Sequence, residues 1–383
     1  MPWKETCVME ERLKLIADWL SEEYSITHLG EKYHVSRKTV YKWIGRFRDK
    51  DIYGLEDLSS APIRRPRATP PDIIDYILAA KSHHSRWGPR KLVAWLKNNY
   101  PDKKWPAAST AQSILKKEGW VKTRHRRRHT PPYTEPFINS KTSNDVWCAD
   151  FKGQFRLGEG KLCYPFTLSD SYSRFLLCCQ GLYRPTYANT RLQFERAFRE
   201  YGLPRAVRTD NGAPFASVAI GGLSSLAVWF VKLGIYPERI EPGKPEQNGR
   251  HERMHRTLKE TAINPPRRTL QEQQRAFDRF KKEFNTERPH EAHGQKTPAS
   301  VYRQSARQYP EKLPDILYPE SYIVRQVRIG GPIRWRGNLI YVSKSLTGEP
   351  VGIKKVDDTL WEVYYSFLPI GILDEGLNRI LPL

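Results

Sequence analysis

The sequence has few cysteines and no long apolar run. Of its 383 residues 5 are cysteine, no two form a Cys-x-x-Cys pair, and none has zinc-ligand spacing to a histidine. Disulfides and structural zinc are therefore not expected. The chain nowhere approaches the ~18 consecutive apolar residues that a membrane helix needs, and its start, Met1 to Glu5, lacks a signal-peptide pattern. The sequence thus predicts a soluble cytosolic protein without a membrane partner.

Positive charge is in excess. The chain has 64 Lys and Arg against 42 Asp and Glu, a formal net charge of +22, and 39% hydrophobic residues, enough to build packed cores. Global disorder is excluded, and a polyanionic partner is indicated. Residues 1–140 contain 27 basic and 16 acidic residues, and residues 141–383 contain 37 and 26. Each part carries half of the surplus, so the shorter amino-terminal part is the densest candidate for nucleic-acid contact.

Residues 1–53 have the pattern of a helix-turn-helix domain. Apolar residues recur at helical spacing from Leu13 to Leu20, and Ser25 and Ser36 can cap a second and a third helix. In the third helix the apolar residues from Val40 to Phe47 would face the core. This arrangement favours DNA binding through a basic recognition helix, and a small helical bundle with a solvated charged face is the alternative. The residues expected on or near its outer side are Arg37, Lys38, Tyr41, Lys42 and Arg46.

Two basic linkers flank a second helical group. Residues 54–71 are rich in Pro, Ser and Arg and are predicted to be a linker that either lies in a minor groove or is a solvated tether. Residues 72–121 predict three helices of a second helix-turn-helix-like domain. Residues 122–142 are predicted to be a connector that follows phosphates, because eight of its positions hold five basic residues and two histidines. The arginines of the two linkers are Arg64, Arg65, Arg67, Arg124, Arg126, Arg127 and Arg128.

The remaining two thirds of the chain change character. Residues 143–302 show strand and helix patterns in the order βββαβαβα, which predicts an α/β core around a mixed five-stranded sheet. Residues 303–383 carry short alternating segments that predict a small antiparallel β-barrel. The predicted fold class is therefore multidomain, with all-α helix-turn-helix domains at the amino terminus, an α/β core and a carboxy-terminal β-barrel.

Three acidic residues stand where predicted elements begin or end. Asp150 ends a strand, Asp210 closes another before the tight turn at Asn211-Gly212, and Glu252 lies on the first turn of a helix. Three carboxylates at one place repel each other, and two Mg²⁺ ions, which prefer oxygen ligands, would neutralise them. For each residue alone, an acid that caps a turn or a helix is the alternative.

These acids lie within longer motifs that resemble a known family. Trp147 to Asp150, Thr209 to Phe215 and Pro242 to Arg253 are similar to the Asp-Asp-Glu (DDE) motif of bacterial insertion-sequence transposases, whose RNase H-like core is similar to retroviral integrase. Asn285 to His290, with Thr297-Pro298, resembles the closing segment of that core. The resemblance extends over nearly the whole chain, including the helix-turn-helix before the core and the β-domain after it.

The resemblance also selects the third acid. In the family the glutamate follows an amide side chain by four residues and a small residue by three, and Asn248 and Gly249 satisfy this only for Glu252, not for Glu246. There are 41 residues between Asp210 and Glu252, more than is usual in the family, which predicts an insertion within residues 217–229.

The family implies a function and further site residues. It implies that the chain binds the terminal inverted repeats of its element and cleaves the ends. It then joins the 3′-OH groups to target DNA with two Mg²⁺ ions, or Mn²⁺ instead, and no covalent protein intermediate. The acting form would be a homo-oligomer on double-stranded DNA, associated with the bacterial nucleoid in the cytoplasm.

Basic groups near the third acid complete the predicted interface. His255, Arg256 and Lys259 would share the helix face of Glu252. By resemblance, Asn248 and Arg256 contact DNA and Lys259 holds the end-binding position; a solvated helix face is the alternative. A catalytically inactive, domesticated DNA-binding regulator would have the same fold, but the intact trio argues against it. A ribonuclease of the same fold is disfavoured by the amino-terminal helices.

Overall fold

The computed structural model describes residues 7–58, 68–121, 140–212, 214–215, 223–240 and 249–382. The chain divides into two compact units, residues 1–69 and 70–383. None of the helices in the described segments is both long and apolar enough to cross a membrane. The helices are α1 Val8–Leu20, α2 Ile26–Lys32, α3 Arg37–Lys50, α4 Pro71–His83, α5 Pro89–Asn99, α6 Ala108–Lys117, α7 Tyr187–Tyr201, α8 Ser225–Lys232, α9 Gly249–Leu258, α10 Leu270–Thr286 and α11 Pro298–Val301. The strands are β1 Val146–Phe151, β2 Phe155–Arg156, β3 Leu162–Asp170, β4 Leu176–Leu182, β5 Ala206–Thr209, β6 Tyr236–Arg239, β7 Ile323–Gln326, β8 Pro332–Trp335, β9 Asn338–Tyr341, β10 Pro350–Lys355, β11 Leu360–Tyr365, β12 Leu368–Asp374 and β13 Arg379–Leu381.

The first unit contains the three helices that the sequence predicts. The hydroxyl of Ser25 accepts the backbone N–H of His28 at the start of α2, and that of Ser36 accepts the N–H of Thr39 at the start of α3. Such caps satisfy helix N–H groups that lack an intrahelical partner. Apolar side chains of all three helices form the core, and Val40 is fully buried in it. The predicted helix-turn-helix elements are therefore present.

Helices α4 to α6 form the second helical group, which belongs to the larger unit. Both α4 and α5 begin with a proline, whose missing N–H is not needed in the first helical turn. The group packs against the core through ion pairs of Arg86 with Glu260, at 3.7 Å, and of Arg90 with Glu291, at 2.6 Å.

A mixed sheet forms the centre of the larger unit. Strand β1 runs antiparallel to β3 and parallel to β5, and β5 runs parallel to β6. Strand β4 pairs with the other edge of β3. The predicted five strands are present, with one addition: β2 pairs two residues, Phe155 and Arg156, with the start of β3. A two-residue strand is too short to show periodicity in a sequence.

Helices cover both faces of this sheet. On one face Trp147 and Phe166 pack with side chains of α7 and α8. On the other face Cys179 packs with Leu258 of α9 and Phe277 of α10. Helix α9 is shorter than expected, because a π-helical turn at Lys259–Ile263 replaces its last residues. The core is thus a three-layer α/β/α structure, with α9 packed against the sheet beside the end of β1.

The carboxy-terminal segment is an open structure, and the predicted barrel is not observed. Strands β13, β12, β11, β10 and β7 form an antiparallel sheet in that order, and β8 and β9 form a separate hairpin. Within the described residues the edge strands β7 and β13 do not pair, so the sheet does not close. Its core instead extends to α8, where Val228 and Val231 pack with Ile353. Lys232 of α8 also pairs with Glu349 at 2.8 Å.

Candidate active site

Asp150 and Asp210 lie at the ends of neighbouring parallel strands. Cys148 of β1 is in register with Arg208 of β5, and Ala149 with Thr209. The residue that follows each member of the last pair is an aspartate, so Asp150 and Asp210 are neighbours at the carboxyl ends of β1 and β5. The sequence-predicted pair is therefore brought together by strand register.

The turn after β5 holds the Asp210 carboxylate. The backbone N–H of Gly212 donates to Asp210 Oδ1 at 3.2 Å, and Asn211 Nδ2 donates to the carbonyl of Ile240 at 2.7 Å. A Cβ on Gly212 would lie 3.0 Å from Asp210 Oδ2, closer than almost all real Cβ contacts. Glycine at this position therefore lets the turn close tightly around the carboxylate.

Electrostatics connect all three predicted acids. Burial raises the pKa of Asp150 to about 7, with smaller contributions in the same direction from the charges of Asp210 and, last, Glu252. Burial also raises the pKa of Asp210. Glu252, which is exposed on the first turn of α9, is therefore close enough to act on Asp150. Two partly desolvated carboxyl groups, with the exposed Glu252 acting on one of them, are a donor set that a hard divalent cation would stabilise.

Two histidines of α9 lie under this site, and sequence reasoning assigned them no such place. His251 and His255 are 3% and 4% exposed. Each places Nε2 2.7 Å from the hydroxyl of Thr167, which donates to the backbone carbonyl of Asp150 at 3.1 Å. A hydroxyl has one proton, so with that proton on the carbonyl both imidazoles donate Nε2–H to Thr167. Nδ1 of His251 then accepts from the hydroxyl of Ser169 at 3.0 Å.

These histidines are neutral. Burial lowers the pKa of His251 to about 3, and burial together with His251 and Lys152 lowers that of His255 to about 2. The 3.7 Å approach of His255 Nδ1 to Asp150 Oδ2 is therefore not an ion pair at neutral pH. The expectation that His255 lies on a basic outer face is wrong, because its ring packs inward. The spacing of four residues between the histidines, beside Glu252, was the signal available in the sequence.

The structure describes some of the predicted DNA-contacting residues. On α3, four of the five are exposed; Arg46 is half-buried and donates to the carbonyl of Glu56 at 2.6 Å. Lys42 and Arg46 both lie over the ring of Trp43. Arg256 and Lys259 are exposed near Glu252. The predicted residues that lie outside the described segments are Arg64, Arg65, Arg67, Arg124, Arg126, Arg127, Arg128 and Asn248.

Comparison with family models supports both parts of this architecture. Residues 140–245 and 233–298 each match an integrase core domain, and the two segments together contain Asp150, Asp210 and Glu252. Residues 39–115 match a homeodomain-like domain, which runs from α3 to α6. The expected integrase-like core and the helix-turn-helix region before it are thus confirmed.

The chain is also similar to insertion-element proteins. An uncharacterized 39.2 kDa protein of insertion element IS476 from Xanthomonas euvesicatoria is 29% identical over 222 residues, 56% of this chain and 60% of that protein. An uncharacterized 31.7 kDa protein of insertion element IS407 from Burkholderia multivorans is 27% identical over 179 residues, 45% of this chain and 60% of that protein. The chain thus spans about three fifths of the length of each of these relatives.

Among solved structures, the chain resembles the catalytic core domain of HTLV-2 integrase in complex with magnesium, in its trimeric form. That match is 16% identical, covers 43% of this chain and 100% of the other, and has a TM-score of 0.34. The family models and the relatives together show an integrase core domain preceded by a homeodomain-like region, in a chain that is similar to proteins of bacterial insertion elements.

Proposed function

We propose that this protein is a DNA transposase that cleaves the ends of its mobile element and joins them to target DNA. The observation that carries the proposal is the coupled carboxylate site at the end of β1. Asp150 and Asp210 are adjacent in strand register, and both Asp210 and Glu252 raise the pKa of Asp150. The reaction would be strand hydrolysis at each element end, followed by attack of the freed 3′-OH on a target phosphodiester.

Asp150, Asp210 and Glu252 are the residues that would hold metal. Two Mg²⁺ ions, or Mn²⁺ in their place, would supply Lewis acidity at the scissile phosphate and lower the pKa of the attacking hydroxyl. The buried residues beneath the carboxylates would hold the site in position. Thr167 fixes the end of β1 through its bond to the Asp150 carbonyl. The histidines beneath the site are neutral, so they would not neutralise the carboxylates, and the negative charge would remain available to bind the metal.

The basic surfaces would bind the DNA. The exposed residues of α3 suit reading of the element's terminal inverted repeats in a major groove. Arg256 of α9 and Lys259 of the π-helical turn after it follow Glu252 in the chain and would contact phosphates of the end being cut. Two ends must be processed and one chain carries one carboxylate trio, so we expect a homo-oligomer assembled on paired ends. Its partners would be double-stranded element and target DNA, and we expect it at the nucleoid of the bacterial cytoplasm.

A cleavage and joining assay tests the proposal. With duplex DNA carrying the element end, we expect nicking and joined products in Mg²⁺, none in EDTA, and none with Asp150→Asn or Asp210→Asn. Gel-shift binding of the same DNA by these variants is the control for folding. Wild-type protein that binds the end DNA specifically but never cleaves it in Mg²⁺ or Mn²⁺ would instead favour the inactive regulator.

A further inference from the structure

Two adjacent histidines end helix α4 opposite two glutamates near the end of α10. His83 and His84 belong to the second helical group, and Glu283 and Glu287 belong to the core. One donor atom each of His83, His84 and Glu287 lie within 4.8 Å of one another. The carboxylate site described above uses none of these residues.

His84 is fixed in place and has one ring nitrogen to spare. It is 5% exposed, and its ring stacks on Trp87 at 3.7 Å with an interplanar angle of 6°. Nδ1 lies 3.6 Å from Glu283 Oε1. Nε2 is buried and has no hydrogen-bond partner in the described part of the chain. A buried polar atom without a partner is costly, which makes this nitrogen an exception that needs an explanation.

We infer that His83, His84 and Glu287 form a binding site for Zn²⁺. Imidazole nitrogen and carboxylate oxygen are ligands that zinc takes in proteins, and three of them leave a fourth position for water. Metal-bound histidines donate their second nitrogen to a carboxylate, and His84 Nδ1 lies 3.6 Å from Glu283 Oε1, where a small shift would make that hydrogen bond. The site contains no cysteine, so the lack of zinc-ligand spacing among the cysteines does not exclude it.

The ligand set separates this site from the carboxylate trio. Mg²⁺ prefers oxygen ligands and binds imidazole poorly, whereas zinc accepts both. Zinc bonds of about 2.0–2.2 Å place tetrahedral ligand atoms roughly 3.4 Å apart, so the cluster must contract. His84 is buried and stacked on Trp87, whereas His83 is exposed and Glu287 is half-buried, so the latter two would approach by a change of side-chain rotamer.

Bound zinc would tie the second helical group to the core. At present the ion pairs Arg86–Glu260 and Arg90–Glu291 span the same boundary, and all four side chains are about half or more exposed. Exposed pairs of this kind contribute little to stability. A metal ligated from both sides would be the strongest single link between α4 and α10.

The experiment uses the full chain with Asp150→Asn and Asp210→Asn, which disables the carboxylate site. Titration with ZnCl₂ by calorimetry should give one zinc per chain and raise Tm, whereas MgCl₂ should do neither. Glu283→Gln should weaken zinc binding by about 10–100-fold, because that carboxylate acts through His84. His83→Gln and Glu287→Gln remove ligands and should weaken it further. Glu311→Gln, an exposed acid outside the cluster, should leave the affinity unchanged.

Two results would overturn the site: no zinc bound at micromolar concentration, or a zinc stoichiometry and affinity unchanged by both His83→Gln and Glu287→Gln. X-ray absorption of the zinc-loaded protein gives a readout that does not depend on activity. We expect two imidazole ligands on zinc in the parent protein and one in His83→Gln. Since none of these measurements uses DNA, the zinc site can fail while the transposase proposal stands, and the reverse.

Discussion

The two faces of helix α9, a helix of ten residues, differ in burial and in charge. The inner face, with His251, His255 and Leu258, is buried against the sheet and carries no charge at neutral pH. The outer face, with Glu252 and Arg256, is exposed and holds ionisable side chains. The inner face positions the helix, and the outer face would perform the chemistry.

This division would allow Glu252, an exposed residue, to complete the proposed carboxylate site in a defined position. Glu252 is exposed and occupies the first turn of α9, so its own contacts do not fix the helix. Its neighbour His251 is held by Thr167 and Ser169 of β3, and Thr167 also contacts Asp150. Strand β3 thereby fixes both the end of β1 and the orientation of α9. Side chains far apart in the sequence, such as Asp150 and Glu252, are therefore held in a constant relative position.

The largest expected effect is on the outer face. Glu252→Gln should abolish cleavage and joining while the Tm stays close to that of the wild type, because an exposed carboxylate is lost without disturbing packing. Glu246→Gln, a change of the same kind in the same motif, should retain much of both activities. Activity is measured on end DNA in Mg²⁺, and Tm by calorimetry without DNA.

Two outcomes would break the comparison between the faces. Full joining activity in Glu252→Gln would remove this residue from the trio and return Glu246 to consideration. A large decrease in the Tm of Glu252→Gln would show that the outer face also positions α9, so the two faces would not have separate roles.

The inner face should respond in the opposite way. Thr167→Val keeps the side-chain shape but leaves the Nε2–H groups of two buried histidines without an acceptor. Each unsatisfied group costs about 1–3 kcal/mol, so the free energy of unfolding in urea should fall by at least that amount. Thr286→Val is the matched control: its hydroxyl bonds within α10 and is exposed, so its effect should stay within about 0.5 kcal/mol. Equal stability of the two variants would contradict the proposed network.

The neighbouring positions of Asp150 and Asp210 were predictable from local signals in the sequence, whereas the metal-binding role of the three acids stays a prediction. Asp150 and Asp210 follow short apolar strands, and parallel register makes the ends of such strands neighbours. The serine caps of α2 and α3 involve only neighbouring residues, so they could be predicted from the sequence. The assignment of Glu252 over Glu246 depended on the family resemblance and on neither burial nor periodicity.

The remainder depends on contacts between distant segments. Thr167 and His251 are 84 residues apart, and nothing in either segment alone indicates that they meet. The π-helical turn after Leu258 was missed because the helical pattern continues through it; the wider turn leaves Ala262 and Ile263 buried. The carboxy-terminal strands were recognised, but closure into a barrel depends on the pairing of β7 and β13, which alternation within a strand does not specify.

The smallest expected effect concerns Lys259, the first residue of the π-helical turn that follows α9. Its exposed ammonium is proposed to neutralise one phosphate of the element end, so Lys259→Ala should weaken binding of end DNA and lower the slope of log K against log[salt] by about 0.9. Lys282→Ala removes an equally exposed lysine from α10 and should leave that slope unchanged, since it lowers net charge without removing a proposed contact. Fluorescence anisotropy across a salt series measures both variants. If the two slopes change alike, the lysine acts through general charge alone, and the phosphate contact beside Glu252 is rejected.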